Sequence, residues 1–151
     1  MPHPMHRFAG LIPAALLFLA ACQGGPAGDG GYRAEVIRTS HGVAHITAED
    51  FGSLGYGEGY AAAEDHGCHI ARGLVAARGE LARYFGPGDK QRNVVSDSVV
   101  RALGIPAQAR AAFAAEDATN RDWLTGYTAG YNRYLAEQGA DAPGSWCAGE
   151  N

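Results

Sequence analysis

The chain has 151 residues, 46% apolar and 19% charged, with a formal net charge of −4. That length suits one domain or part of a larger one, and a mild negative charge without any run of Lys or Arg excludes a basic nucleic-acid-binding surface. The 22 glycines follow no short period, which excludes collagen-like and linker sequence and points to tight turns and close packing.

The N-terminus reads as an export signal. His3, His6 and Arg7 give a weakly basic start, and Phe8 to Ala21 is nearly all apolar. This is the length of a signal-peptide core and is short for a membrane span. Residues 1–21 are therefore expected to be a signal peptide. The core ends in Leu19-Ala20-Ala21-Cys22, which resembles a bacterial lipobox. In that reading Cys22 bears lipid and opens the mature protein; in the other, cleavage falls nearby and Cys22 is incidental. Gln23 follows the cysteine, so no Asp suggests inner-membrane retention. The expected address is periplasmic, with an outer-membrane lipid anchor. Residues 22–31 then form a glycine-rich tether, and residues 32–151 the folded part.

Tyr32–Arg38 and Val43–Thr47 read as two strands joined by the turn Thr39-Ser40-His41-Gly42, a β-hairpin. Thr47 and Asp50 have capping-box spacing, so a helix is expected to start near Asp50. Gly52, Gly55, Gly59 and Ala62 then recur at helical spacing. Glycines weaken an isolated helix by about 1 kcal/mol each relative to Ala, so this face is expected to pack directly on another backbone. Ile70, Leu74, Ala77, Leu81 and Phe85 predict an amphipathic helix ended by Gly86-Pro87-Gly88. A polar loop is expected over Asp89–Asn93, then short helices over Ser96–Leu103 and Pro106–Ala115. Thr119 and Asp122 repeat the capping-box spacing. Leu124, Tyr127, Tyr131, Tyr134 and Leu135 form one face of a last helix ending near Gln138-Gly139. The order predicts an α+β class, a hairpin followed by mostly helices.

No residue set completes an active site. None of Ser40, Ser53, Ser96, Ser98 and Ser145 lies in a G-x-S-x-G elbow, and the adjacency of Ser40 and His41 is not the geometry of a Ser/His pair. His41 and His45 fall on a turn and a strand. Asp65, His66, Cys68 and His69 cluster, but without zinc-ligand spacing, and read better as helix residues with a structural cysteine. Gly55-Tyr56-Gly57-Glu58-Gly59 lacks the order and the lysine of a phosphate loop. Glu64 and Asp65 are neighbours, expected to point different ways from a helix, which gives no paired-carboxylate site. Cys22 as an N-terminal nucleophile is disfavoured by its lipobox context. Catalytic, cofactor-binding and metal residues are therefore assigned as none.

Three cysteines are present: Cys22, Cys68 and Cys147. With Cys22 lipidated, two remain in a compartment that permits disulfides. A Cys68–Cys147 bridge would stabilise by about 2–4 kcal/mol. The alternative is two unpaired small hydrophobes.

Arg38 to Cys68 (RTSHGVAHITAEDFGSLGYGEGYAAAEDHGC) resembles the start of the α chain in the penicillin-acylase family. The motifs are Gly42-Val43-Ala44-His45-Ile46, Asp50, and Gly59-Tyr60-Ala61-Ala62-Ala63-Glu64-Asp65. Ser53-Leu54-Gly55-Tyr56-Gly57 and Cys68 are similar to the aculeacin A and N-acyl-homoserine-lactone acylase branch. Arg78-Gly79-Glu80 with Arg83-Tyr84-Phe85-Gly86, and Leu124 to Leu135, resemble later family segments. Ala44 stands where the family usually has proline, which leaves the turn less rigid.

The resemblance implies an N-terminal-nucleophile hydrolase with an αββα sandwich, incomplete here, made as a precursor that cleaves itself into α and β chains. It implies a β-chain N-terminal serine that attacks amides with its own amine as base. Donors to the oxyanion complete that machinery. These residues lie beyond Asn151, so the segment is expected to be inactive scaffold. Its partners are the β chain of the same precursor, an N-acyl amide substrate in the complete enzyme, and the membrane through a lipid anchor. Cofactors are none; calcium in the full-length protein is not assignable from this stretch. The competing reading is a standalone periplasmic lipoprotein serving as a binding or assembly module; a third is a prematurely ended frame with no function.

Overall fold

The computed structural model describes residues 30–138. The residues expected to form the signal peptide, Cys22, nearly all of the expected tether and Cys147 lie outside the described residues.

Two antiparallel strands, β1 (Ala34–Arg38) and β2 (Ala44–Ala48), form the expected hairpin. The Thr39 N–H donates to Val43 O across the turn, and Gly42 takes a φ of +80°, a conformation that favours glycine. Ala34, Val36 and Arg38 alternate inward with Ala44, Ile46 and Ala48, and Val36 pairs with Ile46.

Helix α1 (Phe51–Ala77) follows at once. Its N-cap is Asp50 itself, whose carboxylate accepts from the Ser53 N–H at 2.7 Å and the Ser53 hydroxyl at 2.9 Å. Thr47 lies in β2, so the expected capping box is in fact a single Asp cap. Those Ser53 bonds, backbone N–H first, hold the Asp50 carboxyl below its ordinary pKa.

Four glycines in α1 let other elements approach its backbone. A Cβ on Gly57 would lie 2.6 Å from Ile46 Cγ2 and 2.7 Å from Ala34 Cβ, so the hairpin seats there. A Cβ on Gly52 would meet the Tyr32 ring. Gly55 and Gly59 serve the other side. Ala63 continues that buried line, whereas the expected Ala62 is only half-buried.

Helix α5 (Ala118–Gln138) lies on that side and runs parallel to α1. A Cβ on Gly55 would come within 2.1 Å of Trp123 O, and one on Gly59 within 2.0 Å of Tyr127 O. The reverse holds too: Gly126 lies against Gly52 O and Gly130 against Tyr56 O, with Cβ positions at 1.8 and 1.9 Å. Each carbonyl thus sits where a glycine hydrogen points, the arrangement of Cα–H···O contacts worth about 0.5–1 kcal/mol each. The start of α5 is capped by Asp117, which accepts from the Asn120 N–H at 3.0 Å. Thr119 and Asp122 lie inside the helix and are not its cap.

The amphipathic helix expected over Ile70–Phe85 is broken in two. α1 ends at Ala77, and α2 covers Leu81–Phe85. The Glu80 N–H donates to Val75 O and the Gly79 N–H to Ala76 O, with Gly79 at φ +68°. This is a Schellman ending, which glycine permits. Of the predicted stripe only Leu81 is buried, and Leu74 is 54% exposed. The stretch expected to be a polar loop is a 3₁₀ turn at Asp89–Gln91, and α3 (Arg92–Ala102) begins four residues early. Helix α4 (Ile105–Ala115) has Pro106 in its first turn, as expected.

The buried apolar residues among those described are Ala61, Ala63, Ala71, Leu81 and Tyr131, and none of the large side chains is fully buried. The described core is backbone against backbone, and large apolar groups are left outside it.

Candidate functional site

The side chains singled out in the sequence are not brought together. His41 and His45 are exposed on the hairpin, Ser40 is in its turn, and His66 and His69 are exposed on α1. Ser53 serves the α1 cap, and the Ser98 hydroxyl donates to Val94 O. Among the described residues no group of three His, Cys, Asp or Glu side chains is placed to hold a metal. Cys68 is half-buried, without a disulfide partner among the described residues.

The polar groups that do converge lie along α1 and its neighbours. Arg38 closes the inward face of β1 and reaches both acids: Nε donates to Glu64 Oε2 at 3.1 Å and Nη1 to Asp65 Oδ2 at 3.1 Å. Nη1 also donates to Gly42 O at 2.9 Å. Adjacent residues diverge by about 100° on a regular helix. The guanidinium has donors on three nitrogens, and Nε and Nη1 reach one carboxylate each although the two side chains leave the helix in different directions. The expected divergence of Glu64 and Asp65 is thus overcome. Asp65 first and Glu64 second raise the Arg38 pKa above its ordinary value. The trio is an ion pair that fastens the hairpin to the helix, with every group engaged.

Two clusters line the α1–α5 seam. The Trp123 indole donates to Glu58 Oε2 at 3.1 Å, and burial, then the Glu58 charge, raises the Tyr127 pKa. Further along, the Tyr60 hydroxyl donates to Glu137 Oε2 at 2.7 Å, and its ring meets Tyr134 edge-on at 5.4 Å. Arg133 Nε donates to Glu137 Oε1 at 2.6 Å. The bonds from Tyr60 and Arg133 lower the Glu137 pKa, while donation to Glu137, then burial, pushes Tyr60 up to about 12.

A tyrosine whose folded pKa exceeds its unfolded value stabilises the fold below the unfolded pKa, near 10, and loses that contribution as pH rises through about 12. In an alkaline titration followed by tyrosinate absorbance, one tyrosine should ionise near 12. Glu137→Gln should return it toward the ordinary range. A wild-type titration without this late class would contradict the Tyr60–Glu137 bond.

Sequence reasoning missed a third cluster. Asn93, Asp97 and Arg101 lie at i, i+4 and i+8 on α3, and Asn93 and Asp97 are buried. Asp97 accepts from the Leu81 and Ala82 N–H groups at 2.8 Å each. Asn93 donates to Gly86 O at 2.9 Å, and Arg101 Nε to Gly79 O at 3.0 Å. One polar stripe therefore holds both ends of α2. The repeat every four residues was the available signal.

These clusters fasten elements together; none pairs a nucleophile with a base. Comparison with known proteins supplies the context. The penicillin amidase family profile matches residues 33–149. The chain is 40% identical over 147 residues to the acyl-homoserine lactone acylase PvdQ of Pseudomonas fluorescens, covering 95% of this chain and 18% of that protein. It is 42% identical over 118 residues to the aculeacin-A acylase of Actinoplanes utahensis, covering 74% and 15%. Among solved structures it resembles the thermostable penicillin G acylase of Alcaligenes faecalis, with a TM-score of 0.64 at 36% identity, over 70% of this chain and 54% of that one. The chain spans less than a fifth of the length of these curated relatives. The match over nearly the whole folded part, in the order of the motifs from Gly42 to Leu135, makes this chain a member of the penicillin amidase family.

Proposed function

We propose that this chain is the N-terminal part of an acylase precursor that hydrolyses the amide bond of N-acyl compounds. The candidate substrates are acyl-homoserine lactones, β-lactam antibiotics and lipopeptides. The observation that carries this reading is the 40% identity to an acyl-homoserine lactone acylase over 95% of the chain. The aculeacin-A acylase similarity extends the candidates to lipopeptide amides.

The nucleophilic serine, its amine base and the oxyanion donors belong in this reading to sequence beyond Asn151. The segment itself is scaffold. Support comes from the apolar side chains it leaves outside its own core: Val95 and Val99 on α3 and Leu103 just after it are 52–59% exposed, and Phe113 on α4 is 44% exposed. A patch of that kind marks a contact surface, and the β chain of the same precursor is its occupant in this reading. Residues 1–21 export the precursor, and lipid on Cys22 anchors it in the periplasm.

The test is expression of the full-length reading frame with its signal intact, followed by fractionation and amide-hydrolysis assays on all three substrate classes. Activity is expected in the membrane-associated exported fraction, lost from that fraction in Cys22→Ser, and absent from residues 32–151 alone. Full-length protein that leaves all three classes intact would overturn the acylase reading in favour of a binding or assembly module without catalysis.

A further inference from the structure

We propose that the outward face of α3 is a docking surface anchored by Arg92. Its occupant is an apolar surface that sets a carboxylate opposite that arginine, on the part of the precursor beyond Asn151. The inference deepens the acylase-precursor reading and rests on it for the occupant. Helix α3 is amphipathic the wrong way round. Its polar stripe, Asn93, Asp97 and Arg101, turns inward to hold the two ends of α2, with Asn93 and Asp97 buried. Arg92, Val95, Val99 and Leu103, at i, i+3, i+7 and i+11, make the opposite stripe. Its three apolar members are more than half exposed. A surface helix ordinarily turns its apolar stripe to the core of its own domain. Here the inner side is taken by polar bonds to α2, so the apolar stripe needs a core supplied from outside the described residues.

Arg92 sets the chemistry of that core. A Cβ on Gly88 would lie 2.9 Å from Arg92 Cγ, so the arginine stem runs along the Gly88 backbone and its direction is fixed. The guanidinium at its end has no ion pair among the described residues. The stretch around it is basic: residues 66–115 hold seven Lys and Arg against three Asp and Glu, in a chain whose net charge is −4. A cation at the end of an apolar stripe in a basic stretch is complemented by an apolar surface that bears an acid, and the arginine fork matches a carboxylate. Two observations select the occupant. The chain amounts to less than a fifth of the length of the acylases it matches, so in that reading most of the polypeptide able to reach α3 lies further along the same frame. A stripe of Val and Leu with a single charge is also the composition of a permanent interface, like a domain core cut in half.

The test uses the full-length precursor with two conservative changes made separately, Val99→Cys and Arg92→Lys. The first protein is pulsed with N-ethylmaleimide, folded and in urea, and the tryptic peptide 93–101 is quantified by mass spectrometry. Labelling is expected in urea and is expected to be lost in the folded protein. The second is treated with a carbodiimide, which joins an amine to a carboxylate in direct contact. The new amine is expected in a crosslink to an Asp or Glu beyond residue 151. Both results are required. Labelling of the folded protein as fast as in urea overturns the proposal, and so does a missing crosslink or one confined to residues 1–151. A crosslink between copies, detected in a mixture of isotope-labelled and unlabelled protein, assigns the face to a second copy and overturns it too. Protection that needs added phosphatidylglycerol vesicles assigns the face to a lipid surface, with the same consequence. Both expected results in a protein that hydrolyses none of the three substrate classes sink the acylase reading and leave the docking surface standing.

Discussion

Gly59→Ala should destabilise the α1–α5 pair by roughly 2–4 kcal/mol, although alanine is the better helix former. Propensity favours the change by about 1 kcal/mol. Against it, the new methyl would sit 2.0 Å from Tyr127 O and 2.8 Å from the carbonyl carbon. These are backbone atoms of a helix and cannot rotate aside, so α5 must move away. Movement there also separates Gly55 from Trp123 O and Gly130 from Tyr56 O, because all four contacts lie in one seam. Gly73→Ala is the control: nothing lies within 4 Å of its Cβ position, and the site is exposed in the same helix. It should stabilise by up to about 1 kcal/mol. Urea midpoints by far-UV circular dichroism separate the two, and a Gly59→Ala protein as stable as wild type would sink this account of the seam.

Gly55 and Gly59 were legible in the sequence for the reason just used. Glycine at helical spacing is costly unless a backbone covers it, so the pattern itself announced a close neighbour. It did not say which neighbour. Gly126 and Gly130 carry the complementary half, four residues apart, but they stand among Tyr127, Tyr131 and Tyr134, and the tyrosines dominate a reading by apolar periodicity. The break at Gly79 was missed for a related reason. Ile70, Leu74, Leu81 and Phe85 keep helical spacing across it, and periodicity cannot see a left-handed residue. The spacing survives because α2 resumes a turn later, yet Leu74 and Phe85 no longer share a buried face.

The caps teach the same lesson at smaller scale. Both were expected as Thr-x-x-Asp pairs, and both are single aspartates: Asp50, the second member of its pair, and Asp117, two residues before Thr119. A short acid immediately before a helical run is the stronger signal, since one carboxylate satisfies an orphan N–H alone. The convergence of Arg38 on Glu64 and Asp65 could not be read, because it depends on a hairpin folded back over α1, which brings residues 26 and 27 positions apart together. Family membership was legible where the local chemistry was silent. Ordered short motifs carry ancestry without any of them being a catalytic group.

Asp97→Ala should cost about 2–5 kcal/mol and release α2 before the rest of the chain. The α2 helix has only five residues, too few to persist by its own hydrogen bonds. Its first two N–H groups, on Leu81 and Ala82, donate to the Asp97 carboxylate instead of to solvent. Asp97 and Leu81 are both buried, so removal of the acceptor leaves donors unpaired away from water, at about 1–3 kcal/mol for each group. Nothing on α2 can replace it, because Glu80, the residue before the helix, makes no side-chain capping bond. The loss should propagate through α3, whose Asn93 and Arg101 grip Gly86 and Gly79 on either side. Asp97→Asn keeps one carbonyl oxygen and should lose roughly half as much. Hydrogen exchange gives the specific readout: the Leu81 and Ala82 amides should lose protection in Asp97→Ala while Tyr60 and Tyr127 in the α1–α5 seam keep theirs. Uniform loss across both regions would mean that Asp97 supports the whole fold and not the start of α2, and unchanged protection at Leu81 would rule out the cap.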